Sequence, residues 1–278
     1  IIVVSAAMAA LAVRPVEALI VRSLYSSGVH PQDVWPLAAL FGAGLVAGAL
    51  NIVAGGGSFL TLPLLLSLGL PAAAANGTNR VGLLTQSIAG VWGFHRASTL
   101  PWGWALRASV PITIGSVLGA WVALQMTDFT FKRLLAVAML AMTLGTLLRP
   151  PRPGAGATLL LPWHPGLVVT FFVIGLYGGL IQAGVGFAIL AAASVAGMDL
   201  VAGSAVKLVA VLALTVLSLV VFAAGGAVWW SHGLVLGAGN FLGATLGVRI
   251  TVRLGHVWLQ RVVTATVVAV AVALWLGA

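Results

Sequence analysis

Long blocks of apolar residues without a single charged side chain make up most of the chain. Three such blocks cover residues 34–79, 153–198 and 208–248. Each block is more than twice as long as the ~20 apolar residues that span a bilayer once as a helix. This pattern predicts an all-α fold, that of a polytopic helical membrane protein.

The same order of segments recurs in two halves of the chain, at an offset of about 124 to 131 residues. GLVAGALN, which ends at Asn51, matches GLYGGLIQ, which ends at Gln182, and GSVLGA (115–120) matches GNFLGA (239–244). Duplicated units of this kind are typical of secondary transporters. We therefore divide the chain into an N-terminal extension (1–33), a first membrane repeat (34–150), an inter-repeat linker (151–164) and a second membrane repeat (165–278).

Each half begins with a broken helix. An apolar helix (36–53; 166–183) ends in a glycine-rich break, and a short apolar segment (58–68; 187–196) follows it. The short segments span roughly 15 to 18 Å as helices, which is too little to cross the bilayer alone. A polar turn and three long helices then complete each half, predicted at residues 71–77, 78–94, 103–125 and 131–148 and at residues 197–203, 204–224, 233–251 and 257–276.

The N-terminal extension is open to two interpretations. Residues 1–13 have about the length of a signal-peptide core, but the basic region that would precede such a core is not visible in the sequence. An additional N-terminal or interfacial helix is the favoured interpretation, and a truncated leader is the alternative.

The composition excludes several classes of protein. Apolar residues make up 61% of the chain and charged residues only 6%, against roughly 25% charged in a soluble domain, which excludes a soluble globular enzyme. Cysteine is absent, so disulfides, a thiolate nucleophile and a thiolate metal site are excluded. The five histidines fall at predicted helix ends without metal-ligand spacing, and we expect no metal and no other cofactor. No GKS or GKT motif is present, so the chain has no ATPase loop.

Thirteen Lys and Arg residues against four acids give a net charge of +9. They are scattered between apolar blocks rather than clustered for nucleic acid, and we interpret them as topology determinants. Counting each short segment as a crossing places seven of them on one face and four on the other, whereas ignoring the short segments gives six against five. The biased count is favoured, and its odd number of crossings per half makes the repeats inverted. The seven are Arg96, Arg107, Arg149, Arg152, Arg249, Arg253 and Arg261.

The glycines inside the apolar blocks fall into two groups. Gly115 with Gly119, and Gly239 with Gly243, have the spacing of close helix packing, and we assign them that role. A break in a helix at membrane depth persists only where protein or a wet cavity covers its backbone, and we predict a binding site at such breaks. The second group interrupts the apolar helices at matching positions of the two repeats: Gly55, Gly56, Gly57, Gly184 and Gly186.

Two cations follow these breaks at matching positions of the repeats, Arg80 and Lys207. Neither has an acid in its own predicted helix, and Asp199 is the only acid near either in sequence. A cation at membrane depth costs at least ~2.5 kcal/mol, so we expect an anion to offset it. The alternative is that both side chains snorkel to the interface from the first turn of a helix.

Polar residues around the breaks complete the predicted site. Helix N-termini present free N–H groups and a partial positive charge, and such ends facing one cavity make an anion site. Four residues suited to capping these ends are Ser58, Asn76, Thr78 and Ser204. Four amide side chains either bind the ligand or tie helices together: Asn51, Asn79, Gln86 and Gln182. These eight, the five break glycines and the two cations are the predicted substrate-binding residues, and no catalytic residue is expected.

At these residues the chain resembles the sulfite exporter TauE/SafE family of membrane transporters. The resemblance rests on GALNIVAGGGSFLTLP (48–63), NGTNRVGLLTQ (76–86), GLIQAGVGF (179–187) and AVK (205–207). Family members carry Asn before the last tripeptide, where this chain has Ser204. The resemblance implies a helical bundle in the bacterial inner membrane, with internal pseudo-symmetry and no catalytic chemistry.

The resemblance further implies a secondary permease for small sulfur-containing anions such as sulfite or organosulfonates, held near the midplane between the two broken-helix regions. The expected partners are a small anionic substrate and the lipid bilayer, and the oligomeric state, a homo-oligomer included, is left open. One alternative is a permease for organic carboxylates or other small solutes, with Arg80 and Lys207 structural. Another is a membrane scaffold or an intramembrane enzyme, for which no Ser and His pair within one bilayer layer is evident.

Overall fold

The computed structural model describes residues 34–53, 55–148 and 163–275, and within them it has nine helices and no strand. The first half contributes α1 (Val34–Val53), α2 (Ser58–Ser67), α3 (Ala72–Arg96), α4 (Trp102–Leu124) and α5 (Asp128–Leu148). The second half contributes α6 (Pro165–Leu180), α7 (Val185–Val195), α8 (Leu200–Ala224) and α9 (Trp230–Trp275). The all-α prediction is confirmed. The predicted N-terminal extension and residues 151–162 of the linker lie outside the described residues.

Four stretches of the described chain are long and apolar enough to cross a membrane: Trp35–Ile52, Trp102–Leu124, Val201–Ala224 and Trp230–Arg253. Their outer surfaces are apolar as well, since Val110, Ile114 and Trp121 on α4 are each more than half exposed. A soluble monomer rarely exposes such a large apolar surface, whereas the hydrocarbon of a bilayer solvates it. The polytopic membrane fold is confirmed.

Both predicted short segments are short helices. Helix α2 has 10 residues and α7 has 11, so each is about 15 to 17 Å long. The hydrocarbon core of a bilayer is about 30 Å thick. Neither helix crosses it alone, and each follows a non-helical break.

Helix α3 begins earlier than the sequence predicts. Residues 71–77 are predicted as a polar turn, but α3 already starts at Ala72. Alanine has the highest helix propensity, four alanines open this helix, and the N–H of the first is satisfied by Asp128 Oδ1 at 2.9 Å. Asn76 and Thr78 therefore lie inside the helix, and their predicted capping role is wrong.

Helix α8 also begins inside the predicted turn at residues 197–203, at Leu200. The Asp199 carboxylate caps it by accepting two backbone N–H groups of the first turn, at 2.8 and 2.9 Å. Ser204 lies inside the helix, so its predicted capping role is wrong as well. Ser58 is the first residue of α2 and follows the N-cap, and no side-chain hydrogen bond caps that helix.

The last two helices predicted for the second repeat, 233–251 and 257–276, are one continuous helix, α9. The residues that join them contain one glycine, Gly255, and no proline. A glycine inside a helix costs only about 1 kcal/mol relative to alanine, so nothing there ends the helix. With 46 residues, α9 is about 69 Å long.

The first helix of each repeat packs along a long helix of the other repeat, α1 along α9 and α6 along α4. Glycines allow both approaches. A Cβ at Gly239 or Gly243 would collide with backbone of α1, and a Cβ at Gly115 or Gly119 would collide with backbone of α6. The close-packing role predicted for these four glycines is confirmed. The inverted orientation of the repeats stays a prediction.

Candidate functional site

The two glycine breaks meet in the interior of the bundle. A Cβ at Gly186 would lie 2.6 Å from the Cα of Gly55, so the two residues pack backbone against backbone. Gly55 also has φ +92°, a conformation that glycine adopts without strain. Beyond the breaks, the rings of Phe59 and Phe187 stack with their centroids 6.3 Å apart. The broken helices of the two repeats therefore come together, as predicted.

A small cavity lies where the breaks meet, and we call it the central cavity. Its volume of about 10 Å³ has room for roughly one water molecule. Seven of the predicted site residues line it: Asn51, Gly55, Ser58, Gln86, Gln182, Gly186 and Lys207. The sequence analysis missed its apolar walls, which come from four residues: Leu83, Val185, Leu208 and Val211.

Lys207 reaches from α8 to the C-terminal end of α1. Its buried ammonium group donates to the carbonyl oxygens of Asn51 and Ile52, at 2.7 and 2.8 Å. The preceding carbonyl, that of Leu50, accepts the N–H of Gly55 at 3.2 Å. The last carbonyls of a helix have no partner inside it, so the lysine satisfies two groups that the break leaves free.

Arg80 makes the corresponding contact at the C-terminal end of α6. Its Nη2 donates to the carbonyl oxygens of Gly178 and Gly179, at 3.2 and 2.5 Å. The next carbonyl, that of Leu180, accepts from Nδ2 of Asn76 at 2.8 Å. Arg80 and Asn76 on α3 therefore satisfy the carbonyls that end α6.

Each cation thus caps the first helix of the opposite repeat. The C-terminus of a helix carries a partial negative charge, which favours a cation there. Arg80 and Lys207 have side chains that are 0% and 1% exposed, so the alternative in which they snorkel to the interface is excluded. Carbonyl dipoles stabilise the two buried charges.

Helix α8 supplies further partners of Arg80 that the sequence analysis missed. Nη1 donates to Ser218 Oγ at 2.6 Å and to Oε1 of Gln182, and the guanidinium lies 4.7 Å from the ring centroid of Phe222. The Gln182 amide donates to Thr215 Oγ1 at 3.1 Å. The three α8 residues are spaced three and four apart and share one helix face. That spacing in an apolar helix is the signal that could have revealed them.

Asn51 holds the first break in shape. Its Oδ1 accepts the N–H of Gly57 at 2.6 Å, and its Nδ2 donates to Gln86 Oε1 at 2.9 Å. The side chain thereby links the end of α1, the start of α2 and the middle of α3. Gln86 also lines the central cavity, so its amide is placed beside a ligand bound there.

Asn79 and Thr78 tie helices together instead of lining the central cavity. Asn79 accepts from Thr61 Oγ1 at 2.6 Å and donates to Ser58 Oγ at 3.3 Å, so it holds α2 against α3. Thr78 Oγ1 accepts the N–H of Trp229 at 2.9 Å, just before α9 begins.

The remaining predicted residues shape the breaks. A Cβ at Gly56 would meet the Phe187 ring, and one at Gly57 would meet Asn51. Gly184 is the N-cap of α7 and has φ +76°. Ser204 is buried, and its hydroxyl has no hydrogen-bond partner among the described residues.

Lys207 is the one charged residue among the described residues that line the central cavity, and the polar residues around it are neutral. The structure describes two of the four acids, Asp128 and Asp199, and each accepts backbone N–H groups at a helix start. No carboxylate is among the described residues that line the central cavity. The described residues also contain no group of three or more His, Asp or Glu placed to hold a metal. This arrangement suits binding of a polar or anionic solute.

Comparison with known proteins identifies the chain. The family model described as sulfite exporter TauE/SafE matches residues 40–274. A probable membrane transporter protein of Haemophilus influenzae is 31% identical over 231 residues, 82% of this chain and 89% of that protein. The probable membrane transporter protein YfcA of Escherichia coli K12 is 27% identical over 222 residues, 79% and 82% of the two chains. No solved structure matches the chain significantly.

The family match extends over both halves of the chain and over every residue of the central cavity. The relatives are named membrane transporters and come from bacteria. The protein is accordingly a multi-pass transporter of the bacterial inner membrane and not an enzyme. The chain belongs to the sulfite exporter TauE/SafE family of membrane transporters.

Proposed function

We propose that this transporter is a secondary permease for small sulfur-containing anions, such as sulfite or organosulfonates, which bind in the central cavity. The observation that carries the proposal is the ammonium group of Lys207, which lines this cavity without a carboxylate among the described residues around it. Its two carbonyl partners provide dipoles but no countercharge. A bound anion would supply that charge.

The other donors around the central cavity suit a group with several oxygens. Sulfite and sulfonate groups spread one or two charges over three oxygens, and hydrogen bonds to charged groups are stronger than those between neutral groups. Besides Lys207, the amide side chain of Gln86 and the N-terminal turn of α7, which includes Gly186, line this space. The family description, sulfite exporter, supports the same class of substrate.

The size of the central cavity bears on the transport cycle. Room for about one water molecule is too little for an anion with four heavy atoms. In the proposed cycle this structure corresponds to a contracted state, and binding requires the two broken-helix regions to separate slightly. Rocking of one repeat against the other around a fixed site would provide this movement.

A permease for organic carboxylates is the second candidate. The carbonyl partners of Arg80 and Lys207 favour it, because they give both cations a structural role without a sulfur oxyanion. Competition separates the two candidates. Uptake of a sulfonate into proteoliposomes should be inhibited by sulfite, thiosulfate, sulfoacetate or taurine, and not by carboxylates of matched size.

The residue assignment is tested with Lys207→Gln in proteoliposomes. We expect uptake to fall at least tenfold, because the glutamine amide can donate hydrogen bonds but has no charge to attract the anion. Lys132→Gln, which removes an exposed lysine of α5, is the matched control and should transport like wild type. Wild-type uptake by a folded Lys207→Gln protein would show that the anion binds elsewhere.

A further inference from the structure

A second and larger cavity lies between the C-terminal end of α3 and the middle of α9, and we call it the basic cleft. Its volume is about 350 Å³. Three arginines line it, Arg96 from α3 and Arg249 and Arg253 from α9. None of them lines the central cavity, so the basic cleft is a separate feature of the molecule.

The charge of the basic cleft is entirely positive. All three arginines are exposed, and no acidic side chain is among the described residues that line the cleft. The sequence analysis places these arginines on one face of the membrane, and the structure brings them to one cleft. A guanidinium group presents a planar fork of donors that matches the oxygens of a phosphate.

The rest of the basic cleft is apolar. Trp92 and Gly93 of α3 face Val248 and Val252 of α9 across it. Trp92 is 57% exposed, and the guanidinium of Arg96 lies 5.5 Å from the centroid of its ring. A soluble anion would bury no apolar surface against this wall, whereas the acyl chain of a lipid would.

The positions of its arginines favour a depth for the basic cleft near the lipid headgroups. Arg96 is the last residue of α3, and Arg253 is the last residue of the apolar stretch of α9 that is long enough to cross the membrane. Arginine and tryptophan at the end of a spanning segment mark the interface between hydrocarbon and water. Basic pockets between helices on the positively charged face suit anionic lipid headgroups.

We propose that the basic cleft binds an anionic phospholipid, with the phosphate between Arg96, Arg249 and Arg253 and one acyl chain against Trp92 and Val252. The bound lipid fills the space between α3 and α9, where Gly93 packs on Val248. It would therefore hold together two helices that belong to different repeats. This site is independent of the transported substrate.

Native mass spectrometry of the full chain in detergent tests the proposal. The lipids are phosphatidylglycerol and phosphatidylcholine with identical acyl chains, and inorganic phosphate is the soluble competitor. The variant is the triple substitution Arg96→Gln, Arg249→Gln and Arg253→Gln. The matched control is Arg107→Gln, which removes another exposed arginine predicted on the same face that does not line the basic cleft.

We expect wild type to retain phosphatidylglycerol more tightly than phosphatidylcholine. Each arginine near a lipid surface contributes roughly a fivefold gain in affinity, so the triple variant should bind phosphatidylglycerol roughly a hundredfold more weakly. The control should bind like wild type. Each single variant should lose roughly fivefold, which keeps the test open if the triple variant does not fold.

Three results would overturn the proposal. The first is unchanged phosphatidylglycerol binding in the folded variants. The second is equal retention of phosphatidylcholine, which would mean that the apolar wall alone binds lipid. The third is displacement of the lipid by inorganic phosphate at similar concentration, which would identify the basic cleft as the site of a soluble anion.

Discussion

The Nζ atom of Lys207 lies 2.7 Å from the carbonyl oxygen of Asn51, a contact between the second and the first half of the chain. Arg80 makes the reverse contact, from the first half to the carbonyl oxygen of Gly179. Each broken helix thus ends on a cation of the other half. Any movement of one half against the other must either carry these contacts along or break them, so they couple the two breaks mechanically.

Replacing Arg80 by Met should destabilise the protein strongly. The substitution leaves the carbonyls of Gly178 and Gly179 and the Gln182 side chain without their donor in a dry interior. Each unsatisfied buried group costs about 1 to 3 kcal/mol, so we expect a loss of about 3 kcal/mol or more in the free energy of unfolding. Thermal or denaturant unfolding in detergent measures it.

Arg133→Met is the control for this substitution. Arg133 is an exposed arginine of α5 whose guanidinium lies 4.1 Å from the centroid of the Phe129 ring. Its loss should change the midpoint of unfolding little, since exposed cation–π pairs contribute about 0.5 to 1 kcal/mol. Equal midpoints for the Arg80 and Arg133 variants would show that Arg80 is not a cap that the fold needs.

Substitution by alanine at two glycines of α1 should affect the stability of the protein differently. A Cβ at Gly48 would collide with the backbone carbonyl of Asn240, whereas a Cβ at Gly42 has nothing within 4 Å. Gly48→Ala should force α1 and α9 apart and reduce the folded yield. Gly42→Ala should be neutral or stabilise the protein by up to about 1 kcal/mol, because alanine has the higher helix propensity.

Unfolding midpoints and monodispersity on gel filtration compare the two variants. Both remove a glycine from the same helix, so a general effect of glycine loss affects them alike. If Gly48→Ala is as stable as Gly42→Ala, the close approach of α1 to α9 is not required by the fold.

Much of this architecture follows from the sequence, because the chain repeats itself. The breaks, the short helices and the matching positions of Arg80 and Lys207 are readable from local patterns alone. The partners of the two cations are not, because they are backbone carbonyls and every residue has one. Only the tertiary structure, which brings Arg80 to the end of α6 and Lys207 to the end of α1, decides which carbonyls the side chains reach.

The errors at helix ends have a similar origin. Glycine and small polar residues at 71–77 and 197–203 resemble turns, but alanine propensity and the Asp199 cap extend α3 and α8 through part of these segments. Asn76 is predicted as a helix cap for a similar reason, because asparagine is a common capping residue and it precedes a predicted helix. Its actual partner, the carbonyl of Leu180, is more than a hundred residues away.

Gln86→Leu should weaken substrate binding while leaving the protein folded. Gln86 lines the central cavity, and leucine has a similar volume but no donor. A hydrogen bond to a charged group contributes about 1.5 to 3 kcal/mol, which corresponds to a loss of roughly 10- to 150-fold in affinity. Isothermal calorimetry with sulfite and with taurine measures it.

Gln125→Leu is the matched control, because Gln125 ends α4 and is exposed. The Gln86 variant also loses the hydrogen bond to Asn51, so its unfolding midpoint must be measured alongside. Unchanged affinity in a folded Gln86→Leu protein would contradict a substrate site in the central cavity.

Two buried serines of α8 differ in whether their hydroxyl has a hydrogen-bond partner, and alanine substitution tests this difference. Both are buried, but the Ser218 hydroxyl accepts from Arg80 at 2.6 Å, whereas the Ser204 hydroxyl has no partner among the described residues. Removing an unsatisfied buried hydroxyl relieves its desolvation penalty, and removing a bonded one leaves its partner unsatisfied. Ser204→Ala should therefore be neutral or stabilising by about 1 kcal/mol, and Ser218→Ala should be destabilising by about 1 to 3 kcal/mol.

Unfolding in detergent ranks the two variants against wild type. A destabilised Ser204→Ala protein would contradict this prediction and would mean that the hydroxyl makes a hydrogen bond that the fold needs.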